Sequence, residues 1–265
     1  MLFKYKNCEH CGYRYDQVLE NCPHCKNKNE DFESLGLPKS IFWLPLPLQI
    51  TFFLLGFSYG GMFLIEFITA AFINNVYFGV DPRFILNCTG YIIMFTVMAS
   101  VLAMHHKTFR RFFMNWKSYG YGLAFAAALV GGGMLINLIM SPFNPDTSNN
   151  QSLVEEFLKN YPVMSVVVMG FLGPVVEECT YRIGLYTLLR RLNKYAAFII
   201  TSLVFALIHL SFDPSTIVNE LLNLPSYLLA GVAFSLAYEL FGPVCSMFAH
   251  ITYNCFSLFL ILAVH

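Results

Sequence analysis

The sequence predicts an all-α polytopic membrane protein, and three features carry that prediction. Of the 265 residues, 57% are hydrophobic and only 12% are charged, and the mean hydropathy is +0.57. A soluble domain normally carries about twice that charged fraction. After residue 40, hydrophobic stretches alternate with short polar loops, and Lys and Arg are concentrated in alternate loops. Such a composition cannot cover a surface that faces water, so we expect most of the chain to face lipid.

Seven stretches are long enough, or nearly so, to cross a membrane as helices, and there are eight if the first is broken in two. A helix needs about 20 residues to cross a hydrocarbon core of ~30 Å, and only helices satisfy the backbone of such segments within lipid. The predicted spans are 45–73, 88–104, 119–141, 161–189, 195–211, 223–240 and 244–264. We therefore divide the chain into residues 1–30, a linker at 31–44 and a transmembrane domain at 45–265.

The placement of Lys and Arg predicts a cytoplasmic N-terminus. Loops on the cytoplasmic side of membrane proteins carry an excess of these residues. With the N-terminus inside, the outer loops hold only Arg83 and Lys159. We thus expect an integral, multi-pass protein surrounded by the lipid bilayer, in the plasma membrane if the source is bacterial. The formal net charge is zero, so no overall field attracts nucleic acid.

Four cysteines near the N-terminus have a metal-ligand spacing. Cys8 with Cys11, and Cys22 with Cys25, form two Cys-x2-Cys pairs separated by ten residues. Four thiolates suit tetrahedral Zn²⁺, and cytoplasmic thiols stay reduced. We interpret residues 1–30 as a zinc ribbon that holds a structural Zn²⁺, with two disulfides or free thiols as the alternative.

Ionisable and polar side chains recur inside three of the late spans. Such residues are costly at membrane depth and usually mark function. In order of the spans they are Glu177, Glu178, Arg182, His209, His250 and Asn254. Counted from the span ends at ~1.5 Å per residue, their depths are close enough for the side chains to converge on one buried cavity.

The chemistry of these side chains suits hydrolysis by an activated water. A carboxylate and a neutral imidazole can hold a water and accept its proton. A second imidazole beside a carboxamide offers two donors to an oxyanion. Residues four apart share a helix face, so Glu178 can pair with Arg182. No Ser or Cys nucleophile with a paired base stands out, and His-Glu-x-x-His is absent from the sequence, so water activation is favoured over an acyl-enzyme.

Three ordered motifs resemble those of the CAAX protease and bacteriocin-processing family, also called CPBP or Abi. They are Glu-Glu-x-x-x-Arg at 177–182, Phe-x-x-x-His at 205–209 and His-x-x-x-Asn at 250–254. The resemblance covers about residues 119–262 and implies a glutamic-type intramembrane endopeptidase. Its implied substrate is a protein or peptide, membrane-anchored or prenylated as in eukaryotic relatives.

The resemblance also implies a role for each motif residue. Glu177 and His209 would activate water, and His250 and Asn254 would form the oxyanion hole. Glu178 and Arg182 would support the site, which needs no metal. Two positions depart from the family pattern, Tyr181 in place of an apolar aromatic residue and Ile183 in place of glycine.

Three other functions remain open from the sequence. A non-catalytic membrane adaptor or bacteriocin-immunity protein would use the ribbon to bind a partner. A transporter would use Glu177 and His209 as a proton relay. A metalloprotease would bind its metal with His209, His250 and a glutamate. A purely structural role is a further alternative, because polar residues in spans also join helices by hydrogen bonds.

Overall fold

The apolar stretches of the sequence form long helices, and the cysteine-containing segment forms a small sheet. The computed structural model describes residues 3–57, 79–143 and 146–264. Strands β1 (Tyr5–Asn7) and β2 (Arg14–Asp16) pair antiparallel, and a 3-10 helix spans Glu30–Leu35. The α-helical segments are α1 (Leu46–Gly56), α2 (Pro82–Met104), α3 (His106–Phe113), α4 (Trp116–Met140), α5 (Asn149–Asn160), α6 (Pro162–Arg190), α7 (Lys194–Leu207), α8 (Ile217–Phe241) and α9 (Pro243–Val264).

Five of the described helices, α2, α4, α6, α8 and α9, are long and apolar enough to cross a membrane, and α1 and α7 are shorter apolar helices. The predicted all-α polytopic membrane fold is confirmed. The predicted span 45–73 is described only as far as residue 57, and its remainder lies outside the described residues. The predicted span 195–211 corresponds to α7, which ends earlier, at Leu207.

Helix α6 lies at the centre of the bundle and carries the first of the sequence motifs. It packs against α1, α2, α7, α8 and α9, and every residue of Glu178–Tyr186 is buried. Gly184 allows the backbone of α1 to approach closely, because a Cβ at this position would lie 2.7 Å from Phe53 N. The central position of α6 brings its polar side chains within reach of several neighbouring helices.

The N-terminal sheet is bound to the helical bundle through a buried ion pair. Asp16 of β2 accepts two hydrogen bonds from Arg191, at 3.1 and 2.8 Å, and both side chains are buried. Gln49 of α1 accepts a third bond from Arg191, at 2.8 Å. Removing one partner of a buried pair typically costs about 3–5 kcal/mol. This pair therefore fixes the cysteine-containing segment at the end of the bundle where α6 finishes.

The segment 31–44, predicted to be a linker, is packed against the bundle. Phe32 and the run Ile41–Leu44 are buried. Tyr238 Oη donates to Phe42 O at 3.2 Å. Burial of apolar side chains is favourable in free energy relative to their exposure to water. The segment therefore connects the sheet to α1 as part of the core.

The two ends of the bundle are distinguished by what they carry. Asp16 and Arg191 mark one end, and α3 also reaches it through the ion pair between Arg111 and Glu20. Helix α5 lies at the other end, because it leads directly into Pro162, where α6 begins. The 29 residues of α6 span about 43 Å at ~1.5 Å per residue, which separates the cysteine-containing segment from α5.

Candidate active site

The hydrogen bonding of α6 becomes irregular on both sides of the two glutamates. Val166–Leu172 and Glu178–Tyr186 are π-helical, and such segments occur frequently at functional sites. Gly173 N donates to Val168 O, five residues earlier, rather than to Met169 O, its partner in a regular α-helix. The carbonyl oxygen of Met169 is thereby left without its usual partner within the helix.

Side chains of α9 donate hydrogen bonds to two backbone carbonyls of α6 that lack their α-helical partners. Pro174 has no N–H to donate, so Gly170 O also lacks its α-helical partner. Asn254 Nδ2 donates to Met169 O at 3.0 Å, and Cys255 Sγ donates to Gly170 O at 3.4 Å. These bonds fix α9 beside α6 and orient the Asn254 amide.

Glu177 faces both motif histidines. Its Oε2 lies 4.0 Å from His209 Nε2 and 3.8 Å from His250 Nε2. These separations are too long for direct hydrogen bonds and leave room for a water between the groups. The structure thus brings three of the residues predicted to be catalytic around one position, and Asn254 lines the same cavity.

His209 lies just beyond the end of α7 rather than within it, which corrects its predicted place inside a span. Its Nδ1 lies 2.7 Å from Phe205 O. A carbonyl only accepts, so this contact assigns the proton to Nδ1 and leaves Nε2 as the acceptor of the neutral ring. The ring stacks on Tyr227, with centroids 4.9 Å apart. Both contacts aim Nε2 at Glu177.

Glu178 is the centre of a buried network that joins three helices. Its Oε1 accepts from Arg182 Nη1 at 3.0 Å and from His250 Nδ1 at 2.9 Å. Its Oε2 accepts from Ser246 Oγ. Arg182 also donates to Gly231 O at 3.2 Å. All four side chains of the network are buried, so each charge is balanced within the protein.

Tyr91 and Ser246 of this site were not predicted from the sequence, nor was Tyr227, which stacks on His209. Tyr91 of α2 donates from its hydroxyl to Glu177 Oε1 at 3.2 Å, and no spacing connects positions 86 residues apart. Ser246 lies four residues before His250 on α9, so the spacing along that helix could have indicated it. Glu177 therefore has one oxygen bound to Tyr91 and the other directed at the histidines.

These side chains line a cavity of about 780 Å³. Ligand cavities commonly measure about 300–1,000 Å³. Apolar groups such as Val176 and Phe234 cover part of its wall. The candidate site residues in its lining are Tyr91, Glu177, His209, Tyr227, His250 and Asn254. The cavity is large enough to hold several atoms of a substrate beside Glu177.

The four N-terminal cysteines are placed to bind a metal ion. Their Sγ atoms all lie within 4.8 Å of one another, with Cys8 3.5 Å from Cys25 and Cys11 3.8 Å from Cys22. Tetrahedral zinc with Zn–S bonds of ~2.3 Å separates its sulfurs by about 3.8 Å. Burial raises the pKa of Cys8, but hydrogen bonds from backbone N–H groups and from the thiols of Cys25 and Cys11 together lower it to about 6. The donor set and its geometry fit a metal ion.

The segment of the chain that carries the three motifs is similar to a known protein family. Residues 159–256 match the family described as Rce1-like, type II CAAX prenyl endopeptidase Rce1-like. The matched segment contains all three motifs, so the resemblance predicted from them is confirmed. Tyr91 of α2 and the four cysteines lie outside it.

Two bacterial relatives share part of the chain. An uncharacterized protein of Mycoplasma capricolum subsp. capricolum is 28% identical over 155 residues, which cover 53% of this chain and 44% of the relative. The UPF0177 protein YvdC of Lactococcus lactis subsp. lactis is 26% identical over 103 residues, covering 36% and 38%. The chain therefore spans less than half the length of each relative. No solved structure matches it.

The cysteine cluster predicts metal binding that depends on these thiols. Replacing two ligands, Cys11→Ser with Cys22→Ser, is expected to remove the metal ion from the purified full-length protein, because two thiolates cannot hold it tightly. Elemental analysis by mass spectrometry measures the metal content. The buried thiol of Cys88 lies outside the cluster, so the Cys88→Ser variant should keep the metal. Equal metal content in the two proteins would contradict the assignment.

Proposed function

We propose that the protein is an intramembrane endopeptidase that hydrolyses a peptide bond with a water activated by Glu177 and His209. The observation that carries the proposal is the arrangement of Glu177 Oε2, with His209 Nε2 at 4.0 Å and His250 Nε2 at 3.8 Å. The match to type II CAAX prenyl endopeptidases supports this reaction class. The proposed substrate is a protein or peptide, membrane-anchored or prenylated.

In the proposed reaction, the attacking water donates one hydrogen bond to Glu177 Oε2 and one to His209 Nε2. The two acceptors are 4.0 Å apart, which a single water can bridge. Its lone pair then points away from both acceptors, toward the scissile carbonyl carbon. Glu177 takes the proton as the C–O bond forms and passes it to the amine that leaves. The products are a carboxylic acid and an amine, and no covalent intermediate with the protein forms.

We assign His250 and Asn254 to the oxyanion of the tetrahedral intermediate. Asn254 Nδ2 has two hydrogens and uses one for Met169 O, so the other is free to donate. His250 donates from Nδ1 to Glu178, so its Nε2 donates only when the ring is an imidazolium. Glu177 and Glu178 flank that ring and balance its charge. Each preorganised donor contributes about 10²–10³ in rate.

Glu178 and Arg182 have a supporting role in this proposal. Neither contacts the position of the attacking water, and their contacts orient His250 and join α6 to α8 and α9. Removing either charge leaves the other buried without its ion-pair partner, at a typical cost of about 3–5 kcal/mol. Their replacement should therefore reduce folded protein before it affects the chemical step.

We propose a structural Zn²⁺ for the cysteine cluster, because four thiolates in tetrahedral arrangement suit this ion. The water mechanism requires no metal at the active site, whereas the metalloprotease alternative uses His209, His250 and a glutamate as ligands. The variant with Cys11→Ser and Cys22→Ser distinguishes the two mechanisms, because it removes the metal ion of the cysteine cluster. Peptide cleavage by its metal-free form supports the water mechanism, and a metal ion retained at one per active chain supports the alternative.

We propose that the ribbon end of the bundle faces the cytoplasm. This end carries a concentration of cationic side chains, and the opposite end carries few, as expected for the two sides of a membrane. The cations near the ribbon end include Arg111, Arg190, Arg191 and Lys194. Those near the opposite end are Arg83, at the start of α2, and Lys159, at the end of α5. The N-terminus of this multi-pass protein is then cytoplasmic.

The Glu177→Gln variant tests the proposed reaction most simply. The amide keeps the size of the side chain but cannot accept the proton of water, so cleavage should fall by about 10²–10⁴-fold. Cleavage is measured by mass spectrometry on a proteome-derived peptide mixture with full-length protein in detergent. Glu156→Gln, at an exposed glutamate of α5, is the matched control and should cleave like wild type.

Cleavage by the Glu177→Gln variant within about twofold of wild type would contradict the proposal. If the Glu177→Gln variant no longer cleaves peptides but still restores the phenotype of cells that lack the protein, the non-catalytic adaptor is favoured instead. A proton relay would show Glu177-dependent proton flux in vesicles without product formation.

Tyr91→Phe tests whether the hydroxyl of Tyr91 positions Glu177. A hydrogen bond to a charged group is worth about 1.5–3 kcal/mol. If this bond positions Glu177 for the reaction, kcat should fall by about tenfold or more while KM changes little. Tyr121→Phe, at an exposed tyrosine of α4, is the control. Equal kcat values for the two variants would show that Tyr91 does not act on Glu177.

A further inference from the structure

Helix α3 is held at the surface of the bilayer by the two helices that it connects. Helix α2 ends at Met104 and α4 begins at Trp116, and both are long and apolar enough to cross a membrane. The segment 105–115 between them therefore lies where the two helices leave the hydrocarbon core, at the level of the lipid headgroups. The ion pair between Arg111 and Glu20 places this segment beside the ribbon.

The inner face of α3 is packed on the protein, which fixes the direction of its other faces. Phe109 and Phe112 are buried and meet the ring of Phe42 edge-on, with centroids 4.9 and 6.0 Å away. Gly242, at the turn between α8 and α9, leaves room for Phe112, because a Cβ there would lie 2.9 Å from Phe112 Cδ1. The orientation of α3 is therefore a built feature of the fold.

Large apolar side chains at both ends of α3 are exposed. They are Met104, Phe113, Met114 and Trp116, each between 54% and 78% exposed. Side chains of this kind enter the boundary between headgroups and acyl chains when a helix lies at a membrane surface, and Trp is enriched there. Phe113 follows Arg111 by two residues and so points away from it by about 200° on the helix. Ribbon and lipid therefore meet opposite flanks of α3.

The same surface carries cations that no carboxylate of the segment balances. Lys107, Arg110 and Lys117 are exposed, and the sequence from residue 82 to residue 145 contains no Asp or Glu. Among the residues that the structure describes, none of these three cations forms an ion pair, whereas Arg111 is paired. Arg110 precedes Phe113 by three residues and shares its flank. Positive charge and apolar side chains thus face the same lipid layer.

We infer that the surface of residues 104–117, here called the α3 surface, binds the headgroups of anionic phospholipids. The phosphate oxygens accept hydrogen bonds from the exposed cations, and the apolar side chains lie against the adjoining acyl chains. Each Lys or Arg near a membrane surface favours an anionic over a zwitterionic headgroup by about fivefold. Because the α3 surface adjoins the ribbon, the bound lipid holds the ribbon end at the membrane. This binding is independent of the proposed peptidase function.

Native mass spectrometry of the full-length protein tests this binding. The protein in a neutral detergent is titrated with dioleoylphosphatidylglycerol or dioleoylphosphatidylcholine, which have the same acyl chains. Phosphatidylglycerol should bind at least about tenfold more tightly, as two or more cations produce. Soluble glycerol phosphate at the same concentration should not displace it, because it has no acyl chain. Equal affinities for the two lipids would overturn the inference and leave a soluble acidic partner as the occupant.

Matched variants assign the lipid preference to the α3 surface. Lys107→Gln with Arg110→Gln should weaken phosphatidylglycerol binding by about tenfold or more and leave phosphatidylcholine binding unchanged. Lys4→Gln with Arg14→Gln removes the same charge from exposed positions of the ribbon and should bind like wild type. Lys107→Arg with Arg110→Lys keeps both charges and should retain binding, which separates loss of charge from misfolding. Equal losses in the first two variants would overturn the assignment.

The apolar part of the α3 surface is tested by Met114→Gln with Trp116→Gln. Both side chains are exposed, so the fold should persist. Binding of both lipids should weaken by a similar factor, about fivefold or more, because contact with acyl chains does not depend on the headgroup. Unchanged binding of both lipids would overturn the role assigned to these two residues.

Discussion

The ionised carboxylate of Glu178 is the group on which the arrangement of the site depends. A charge at this depth must be paired and hydrogen-bonded within the protein. Glu178 meets this requirement with Arg182 on its own helix and with Ser246 and His250 on α9. The same bonds fix the ring of His250 and hold α6 against α9. Arg182 extends the network to α8 through Gly231 O.

The irregular backbone of α6 complements this network. In a regular α-helix the carbonyls of Met169 and Gly170 would accept from N–H groups of the same helix. The π-helical stretch and Pro174 remove these α-helical donors, and the two carbonyls accept hydrogen bonds from Asn254 and Cys255. Side chains of α9 thus bind α6 at two places along the helix, at Met169 and Gly170 and at Glu178. Glu177 lies between these two places. The contact from Tyr91 shows that the site also includes α2, which lies outside the segment that matches the Rce1-like family.

Much of the fold followed from the sequence, because lipid leaves few alternatives to apolar helices and the motif spacing places Glu178 beside Arg182. The end of α7 before His209 was not predicted, since hydropathy continues past the point where the helix ends. Residues 31–44 were predicted to be a linker because most of them are polar, and the short apolar run at 41–44, which is buried, is too short to stand out. Tyr91 and Tyr227 act through contacts between distant segments, and no periodicity within a single helix reveals such contacts.

The most direct test of water activation by Glu177 and His209 is a cryo-electron microscopy structure of the full-length Glu177→Gln protein with an uncleaved peptide bound. We expect the scissile carbonyl carbon beside the position between Glu177 and His209 Nε2, with its oxygen directed at His250 and Asn254. A peptide bound outside this cavity, or a metal ion held by the two histidines at the position of the water, would contradict that mechanism.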